Sequence, residues 1–246
     1  MTEGLHEPLE AVHVRATVEE LYDRITARFP DRGLRHTAGD LMTIIDEISA
    51  GADEIHGRIR LARLTSRIVM VAILIGTALA LAIAVRDFFT GFVGFNAPDL
   101  LPLIESTIND VVFAGIAVFF LWSFPDRVER GRLLNLLHQL RSAAHIVDMH
   151  QLSKDPQQLR PDYQMTAVSK RLDLDRDQLE RYLDYCSELL SLVGKAAALC
   201  AEESRDQVIL ETVSRIETLT VGLSRKIWQK ISNLPPAGSA AQPDTD

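Results

Sequence analysis

The sequence predicts an all-α protein with a two-helix transmembrane hairpin and a cytosolic helical bundle, or coiled-coil-like helices, from both termini; it leaves open whether the N-terminal and C-terminal helices pack together. Three observations predict this class. Residues 68–85 form an apolar run without charge, a second apolar segment lies at 107–124, and the flanking segments repeat apolar residues at helical spacing. No segment shows the sustained alternation that is typical of a strand.

These patterns divide the chain into four regions. We expect N-terminal cytosolic helices at 1–67, a transmembrane hairpin at 68–124 with a short external loop at 86–106, a C-terminal cytosolic helical domain at 125–233, and a disordered tail at 234–246. The 246 residues are 47% hydrophobic and 24% charged, which is the balance of an ordinary soluble domain. The concentration of apolar residues in the hairpin, and not the average composition, therefore indicates a membrane protein.

Two helices are predicted before the hairpin. Thr17 and Glu20 have the spacing of a capping box, so residues 1–15 are expected to be a loose tail. The first helix buries Val18, Leu21, Ile25 and Phe29. The second begins near Thr37 and carries a seam with steps of four and three, formed by Leu41, Ile45, Ile48, Ala52, Ile55 and Ile59. If it continues through Gly51 and Gly57, it runs directly into the first span.

The first span, Ile68–Val85, contains Thr77 as its only polar side chain. As a helix it is about 27 Å long, close to the hydrocarbon thickness of a bilayer. A buried helix in a soluble protein of this size would need one polar face. The run follows 67 residues with helical patterning, which is not the position of a signal peptide. We therefore expect it to remain as an anchor.

The second span is shorter and its limits are open. Val111–Phe124 would be only about 21 Å long as a helix. We extend it back to Thr107, which includes Asp110, whereas a start at Leu101 would also include Glu105. The alternative for so short a segment is a core helix of a soluble domain.

Arginine distribution predicts the orientation of the hairpin. Four arginines lie in the twenty residues before the first span, four lie in the twenty after the second, and only Arg86 lies between the spans. Because basic residues resist translocation, both termini are predicted to be cytoplasmic and the loop 86–106 external. The flanking arginines are Arg58, Arg60, Arg63, Arg67, Arg127, Arg130, Arg132 and Arg141.

Three helices are predicted after the hairpin. A bend or restart is expected at Pro125, and residues 153–174 are expected to form a loop. Capping signals at Asp175 with Gln178 and at Ser204 with Gln207 predict an antiparallel helix pair. The three seams are Leu133, Leu137, Leu140, Ala144 and Val147; Leu179, Leu183, Cys186, Leu190, Val193 and Ala197; and Ile209, Val213, Ile216, Thr220, Leu223 and Ile227.

Two features within the spans are candidate functional positions. The first span carries a strip of small residues at intervals of four, which lets helices approach closely in lipid; alanine-rich spans also produce this pattern by chance. Asp110 is either an ionisable group inside the membrane, as in conduction pathways, or an acid at the outer headgroups. The strip consists of Ala72, Gly76, Ala80 and Ala84.

The segment HIVDMH and one upstream histidine offer weak candidate metal ligands: His138, His145, Asp148 and His150. His138, His145 and Asp148 share a helix face, but His150, two residues after Asp148, lies on the far side of the helix. The alternative is a helix end that makes hydrogen bonds to the following loop. No catalytic or cofactor-binding motif is present, so we expect no cofactor. Cys186 and Cys200 are expected to be buried free thiols.

Three C-terminal strings, IVDMHQLSKDP (146–156), YLDYCSELLSLVGKAAAL (182–199) and GLSRKIWQKI (222–231), resemble recurrent stretches of an uncharacterised family of small bacterial two-span inner-membrane proteins. The resemblance covers about the last hundred residues. It implies a bacterial source and the inner (plasma) membrane, and it implies no activity.

Three functions are compatible with the sequence. The first is a membrane-anchored interaction or assembly protein, whose cytosolic helices bind further copies of the chain or a protein partner. The second is an oligomeric channel or pore-forming subunit, and the third is a metal-dependent enzyme that uses His145 and Asp148. The bilayer is the partner common to all three. The net charge of −8, without a basic stretch, does not favour nucleic acid.

Overall fold

The computed structural model describes residues 9–90 and 97–236, and this part of the chain is all-helical, without a strand. The fold class is confirmed at that level. The five α-helices are α1 (Ala11–Arg28), α2 (Leu34–Thr90), α3 (Ala97–Leu152), α4 (Arg176–Glu203) and α5 (Gln207–Ser232), with a short 3₁₀ helix at Pro156–Leu159. The chain forms two compact units. One combines the chain up to Ala52 with the chain from Arg132 onward, and the other spans Asp53–Gly131.

The first unit, which we call the core domain, contains α1, the beginning of α2, the end of α3, α4 and α5. These helices share one apolar core, in which Val18, Leu41, Leu137, Leu183 and Ile227 are fully buried. The N-terminal and C-terminal helices, which the sequence placed in separate regions, therefore pack together in one discontinuous domain. Complete burial of each large aliphatic side chain contributes about 1.5–3 kcal/mol before entropy costs.

Helix α1 begins six residues before the predicted capping box. Thr17 lies inside the helix, and its hydroxyl donates to the carbonyl of His13 at 2.8 Å, so the predicted cap is wrong. Val14 is buried with Val18, Leu21 and Ile25, which extends the apolar face one turn toward the N-terminus. Packing of this extra turn on the core outweighs the local capping signal. Of the predicted tail, residues 11–15 are thus helical, and residues 1–8 lie outside the described residues.

The two long helices α2 and α3 are continuous, and both extend into the segment that the sequence predicted to be a loop. Helix α2 continues through Gly51 and Gly57, as expected if it runs into the first span. Helix α3 includes Pro125, so no restart occurs there; helix propagation from both sides outweighs one missing hydrogen bond. The expected loop 86–106 is helical at 86–90 and 97–106, and residues 91–96 lie outside the described residues.

The predicted seams form the core. Every predicted seam residue of α3, α4 and α5 is buried, and so are Leu41, Ile45 and Ile48 of α2. Ala52, Ile55 and Ile59 lie where the structure does not describe side chains. The buried face of α4 is wider than its seam, because Tyr182, Leu189 and Cys200 are also buried. Helix α4 therefore contacts neighbours on more than one side, as expected for the central helix of a packed domain.

Of the two helices α4 and α5, the first has the predicted N-terminal cap and the second is capped by a residue other than the predicted one. The Asp175 carboxylate accepts from the amide of Gln178 at 2.8 Å, and the Gln178 side chain accepts from the amide of Asp175, so this capping box is confirmed. Helix α5 is capped by Asp206, whose carboxylate accepts from the amide of Val208 at 2.8 Å. The prediction of Ser204 is wrong, since its hydroxyl accepts from the amide of Asp206 instead.

Candidate functional site

Two helices are long and apolar enough to cross a membrane. One candidate span is Leu64–Ile83 in α2 and the other begins at Thr107 in α3, with mean hydropathies of 2.2 and 1.7. No residue of either apolar window is buried, and Phe113 and Trp122 are 69% and 75% exposed. Contiguous apolar surface of this extent marks a contact with lipid or with another protein.

A groove of about 460 Å³ lies between these two apolar stretches. Gly76, Thr77 and Ala80 line it from α2, and Thr107 and Asp110 line it from α3. The Thr77 hydroxyl donates to the carbonyl of Ile73 on its own helix, at 2.9 Å. Asp110 is the one acidic side chain among the residues that line this groove, and both small and large apolar residues of α2 form its opposite wall.

The small-residue strip does not form a uniform contact face. Gly76 and Ala80 line the groove, Ala72 is exposed, and the side chain of Ala84 lies outside the described residues. A methyl group added to Gly76 would meet no atom within 4 Å, so the two backbones are not in close contact there. A hydrogen bond joins the two helices at another position, where the Ser66 hydroxyl of α2 donates to the Leu121 carbonyl of α3 at 2.5 Å.

The candidate metal ligands on α3 point to different partners. His138 and His145 are exposed, and the Asp148 carboxylate accepts from the Gln151 amide at 2.6 Å. The imidazole of His150 packs against Gly33, in the turn between α1 and α2. Among the residues that the structure describes, no group of three or more histidine, cysteine or acidic side chains is placed to hold a metal ion. The alternative is a helix end that makes hydrogen bonds to the following loop, and the Ser153 hydroxyl donates to the carbonyl of His150 at 3.3 Å.

Both thiols lie in the apolar core. Cys186 and Cys200 are free and fully buried. Burial raises the pKa of Cys186 and raises the pKa of Cys200 to about 12, because the thiolate loses its hydration. Neither sulfur is available as a nucleophile at neutral pH, so the expectation of buried free thiols is confirmed.

The sequence assigned no role to Trp228, which is 54% exposed on α5. It borders two grooves of about 440 and 500 Å³. Ser187, Ser191 and Arg225 line the first, while Arg28 and Asp184 line the second. The available signal was its position next to Ile227, outside the buried seam, because a large aromatic residue there must face outward.

Comparisons with protein-family models, with curated proteins and with solved structures found no match to this chain. The resemblance of the three C-terminal strings to a family of bacterial inner-membrane proteins consequently stays a prediction.

Proposed function

We propose that this chain is a membrane-anchored helical interaction protein, which assembles with further copies of itself or with a protein partner. One observation carries the proposal: a core domain with its own apolar core is continuous in sequence with a second unit whose apolar windows contain no buried residue. Lipid supplies the environment that the exposed helices need, so the core domain is held at the membrane with its outer surface available for contacts.

The proposed anchor is a two-span hairpin in a bacterial inner membrane, with both termini cytoplasmic and residues 86–106 external. The arginine distribution and the two apolar stretches support this orientation. Because both native thiols are buried, a cysteine added to the surface can be labelled with low background. In intact bacterial spheroplasts, an impermeant maleimide should label Glu105→Cys and should not label Gln164→Cys until the membrane is opened. The reverse pattern contradicts the orientation.

Trp228 and the grooves beside it are the proposed partner surface. Tryptophan is enriched among the residues that dominate binding energy in protein interfaces, and Trp228 is exposed beside two grooves. A photocrosslinking residue at position 228 should give a discrete crosslinked species in cells. The matched control is position 149, because Met149 is an exposed apolar residue on α3. Native mass spectrometry in nanodiscs then distinguishes further copies from another protein. Equal crosslinking at both positions, or none, would contradict this surface.

The second candidate function is an oligomeric channel subunit. The specific observation is the groove that places the Asp110 carboxylate opposite Gly76 and Thr77. Purified protein in liposomes should conduct cations, and Asp110→Asn should reduce the flux. Glu105→Gln, which removes an exposed acid of the same helix, is the control. Absence of flux from a defined oligomer excludes this function.

A further inference from the structure

Four basic side chains from three segments of the core domain come together, and we call them the basic cluster: Arg32, His150, Lys154 and Lys230. Three contacts establish the grouping. The ammonium of Lys230, on α5, donates to the carbonyl of Gln151 at 2.7 Å and to the carbonyl of Lys154 at 3.1 Å. The His150 imidazole packs on Gly33, the neighbour of Arg32, since a Cβ there would lie 2.5 Å from its Cε1.

The two ammonium groups of the cluster form no ion pair among the described residues, whereas Arg32 does. Arg32 forms an ion pair with Asp173 at 2.8 Å, and that carboxylate is 68% exposed. The ammonium of Lys154 lies 5.7 Å from the ring centroid of Tyr182. Within the described part of the chain, no carboxylate is within ion-pair distance of Lys154 or Lys230. Partly buried ammonium groups are normally paired with an acid, so Lys154 and Lys230 have room for a directly bound anion.

The basic groups also act on one another electrostatically. Burial is the largest cause that lowers the pKa of Lys154, and the charge of Arg32 is the second. Burial is likewise the largest cause that lowers the pKa of His150, and the charge of Lys154 is the second. The acids that act on the cluster are Asp173 on Lys154, and Asp148 and Asp155 on Lys230. These effects are consistent with the contacts that place Arg32, Lys154 and His150 near one another in a partly dehydrated region.

The partial negative charge at the C-terminus of α3 does not explain why all four basic side chains lie together. Basic side chains stabilise helix C-termini, where free carbonyls carry partial negative charge. Lys230 already donates to the carbonyl of Gln151 in the last turn of α3, and to the carbonyl of Lys154 just after the helix end. The Lys154 ammonium lies over an aromatic ring, and His150 packs against a different turn. Lys154, His150 and Arg32 therefore retain N–H groups that can bind a ligand.

We propose that the basic cluster binds a phosphate group, with Arg32, His150 and Lys154 as donors. A phosphate offers acceptor oxygens in several directions, which suits donors that come from the α1–α2 turn and from the end of α3. Its negative charge supplies the counter-charge of Lys154 and favours the protonated form of His150. The group belongs either to a soluble phosphate compound or to a phosphorylated lipid headgroup. This site is separate from Trp228 and does not depend on the proposed function.

The first test uses the full-length protein in phosphatidylcholine nanodiscs and inorganic phosphate. Phosphate should raise the thermal unfolding midpoint in a saturable manner, relative to chloride at equal ionic strength. Lys154→Met keeps the aliphatic stem over Tyr182 and should weaken apparent phosphate affinity about tenfold. Lys195→Met removes an exposed lysine of α4 and should leave it unchanged. His150→Gln provides a second variant if Lys154→Met does not fold.

A second arm identifies the source of the phosphate. Nanodiscs that contain phosphatidic acid should stabilise wild type more than Lys154→Met if the ligand is a lipid headgroup, whereas free phosphate should suffice if it is soluble. In either case the ligand should raise the pH at which the His150 Cε1 proton titrates by nuclear magnetic resonance. The proposal is overturned if neither probe stabilises wild type more than Lys154→Met, or if the His150 titration does not move.

Discussion

At the scale of single residues, the contact between Gly33 and His150 links the α1–α2 turn to the end of α3. An added Cβ on Gly33 would lie 2.5 Å from the imidazole Cε1 and 3.0 Å from Nε2. Both distances are shorter than ordinary van der Waals contacts. The absence of a side chain at position 33 thus lets the ring of His150 occupy this place.

The first prediction is that Gly33→Ala destabilises the core domain by about 0.5–1.5 kcal/mol, because the methyl group forces the partly exposed His150 ring out of its present rotamer. The free energy of unfolding, from urea denaturation in detergent followed by circular dichroism, measures the loss. The loss should be smaller when Gly33→Ala is made in a His150→Ala background, where the space is open. Equal losses in both backgrounds would show that the contact is not responsible.

The second prediction concerns pH. Burial, followed by the charge of Lys154, lowers the pKa of His150 in the folded protein below its ordinary value. The unfolded chain therefore takes up this proton first, and stability should fall as pH decreases through about 6.5. Unfolding in phosphate-free chloride buffer between about pH 7.5 and 5 measures the change. The difference between wild type and His150→Gln isolates it, and a parallel response of the two proteins would contradict the assignment.

At the scale of elements, Arg132 connects three helices of the core domain. Its guanidinium donates to the carbonyl of Glu47 on α2 at 2.9 Å and to the carboxylate of Glu203 on α4 at 2.9 Å. The side chains of Arg132 and Glu203 are only 26% and 22% exposed. A planar guanidinium can make both bonds at once, whereas the point charge of a lysine cannot reproduce the fork.

The third prediction is that Arg132→Ala lowers the free energy of unfolding by about 1–3 kcal/mol, because a partly buried carboxylate and a carbonyl lose their donor. Arg132→Lys should recover only part of the loss. Arg215→Ala is the control, since its pair with Glu211 is 77% and 57% exposed and should change stability by no more than about 0.5 kcal/mol. A loss as small as that of the control would mean that Arg132 does not hold the three helices.

The start of α5 provides the fourth prediction. Asp206→Ala should cost about 0.5–2 kcal/mol, because the amides of Val208 and Ile209 lose their acceptor. Ser204→Ala should cost less, since its hydroxyl contacts only the amide of Asp206 in the connection between the helices. The same denaturation assay compares the two variants. A greater cost at position 204 would restore the capping signal that the sequence suggested.

At the scale of the whole molecule, helices from the N-terminal and C-terminal parts of the chain form one domain. Arg24 of α1 pairs with Glu188 of α4 at 2.6 Å, and Phe29 packs edge-on against Tyr182 with ring centroids 5.4 Å apart. These contacts join residues more than 150 positions apart in sequence. Helix α1 should therefore fold and unfold together with α4 and α5.

The fifth prediction is that Leu183→Ala, a cavity in the shared core, lowers stability by about 2–5 kcal/mol. Hydrogen exchange measured by mass spectrometry in nanodiscs should show faster exchange in α1 as well as in α4 and α5. Exchange in the apolar stretch 64–83 should change much less, because that stretch belongs to the other compact unit. Faster exchange confined to α4 and α5 would contradict a single cooperative core.

The sequence predicted the helical class and the buried seams well, because helical periodicity and the solvent preference of side chains act locally. It was less accurate at helix starts. Thr17 and Ser204 each begin a sequence pattern typical of a capping box, but neither caps a helix. Helix α1 starts earlier because Val14 is buried in the core, and Asp206 instead accepts the hydrogen bonds at the start of α5. Of the candidate positions, Gly76, Ala80 and Asp110 share the groove, whereas His138, His145, Asp148 and His150 do not converge.

By itself the sequence determined that the chain is helical, that two stretches are apolar enough to cross a membrane, and which faces of the helices are buried. These properties follow from composition and from the period of the α-helix, which need no knowledge of distant residues. Only the tertiary structure decided that helices from both ends share one core and that Arg32, His150, Lys154 and Lys230 come together. Such groupings depend on long-range packing, which sequence spacing does not encode.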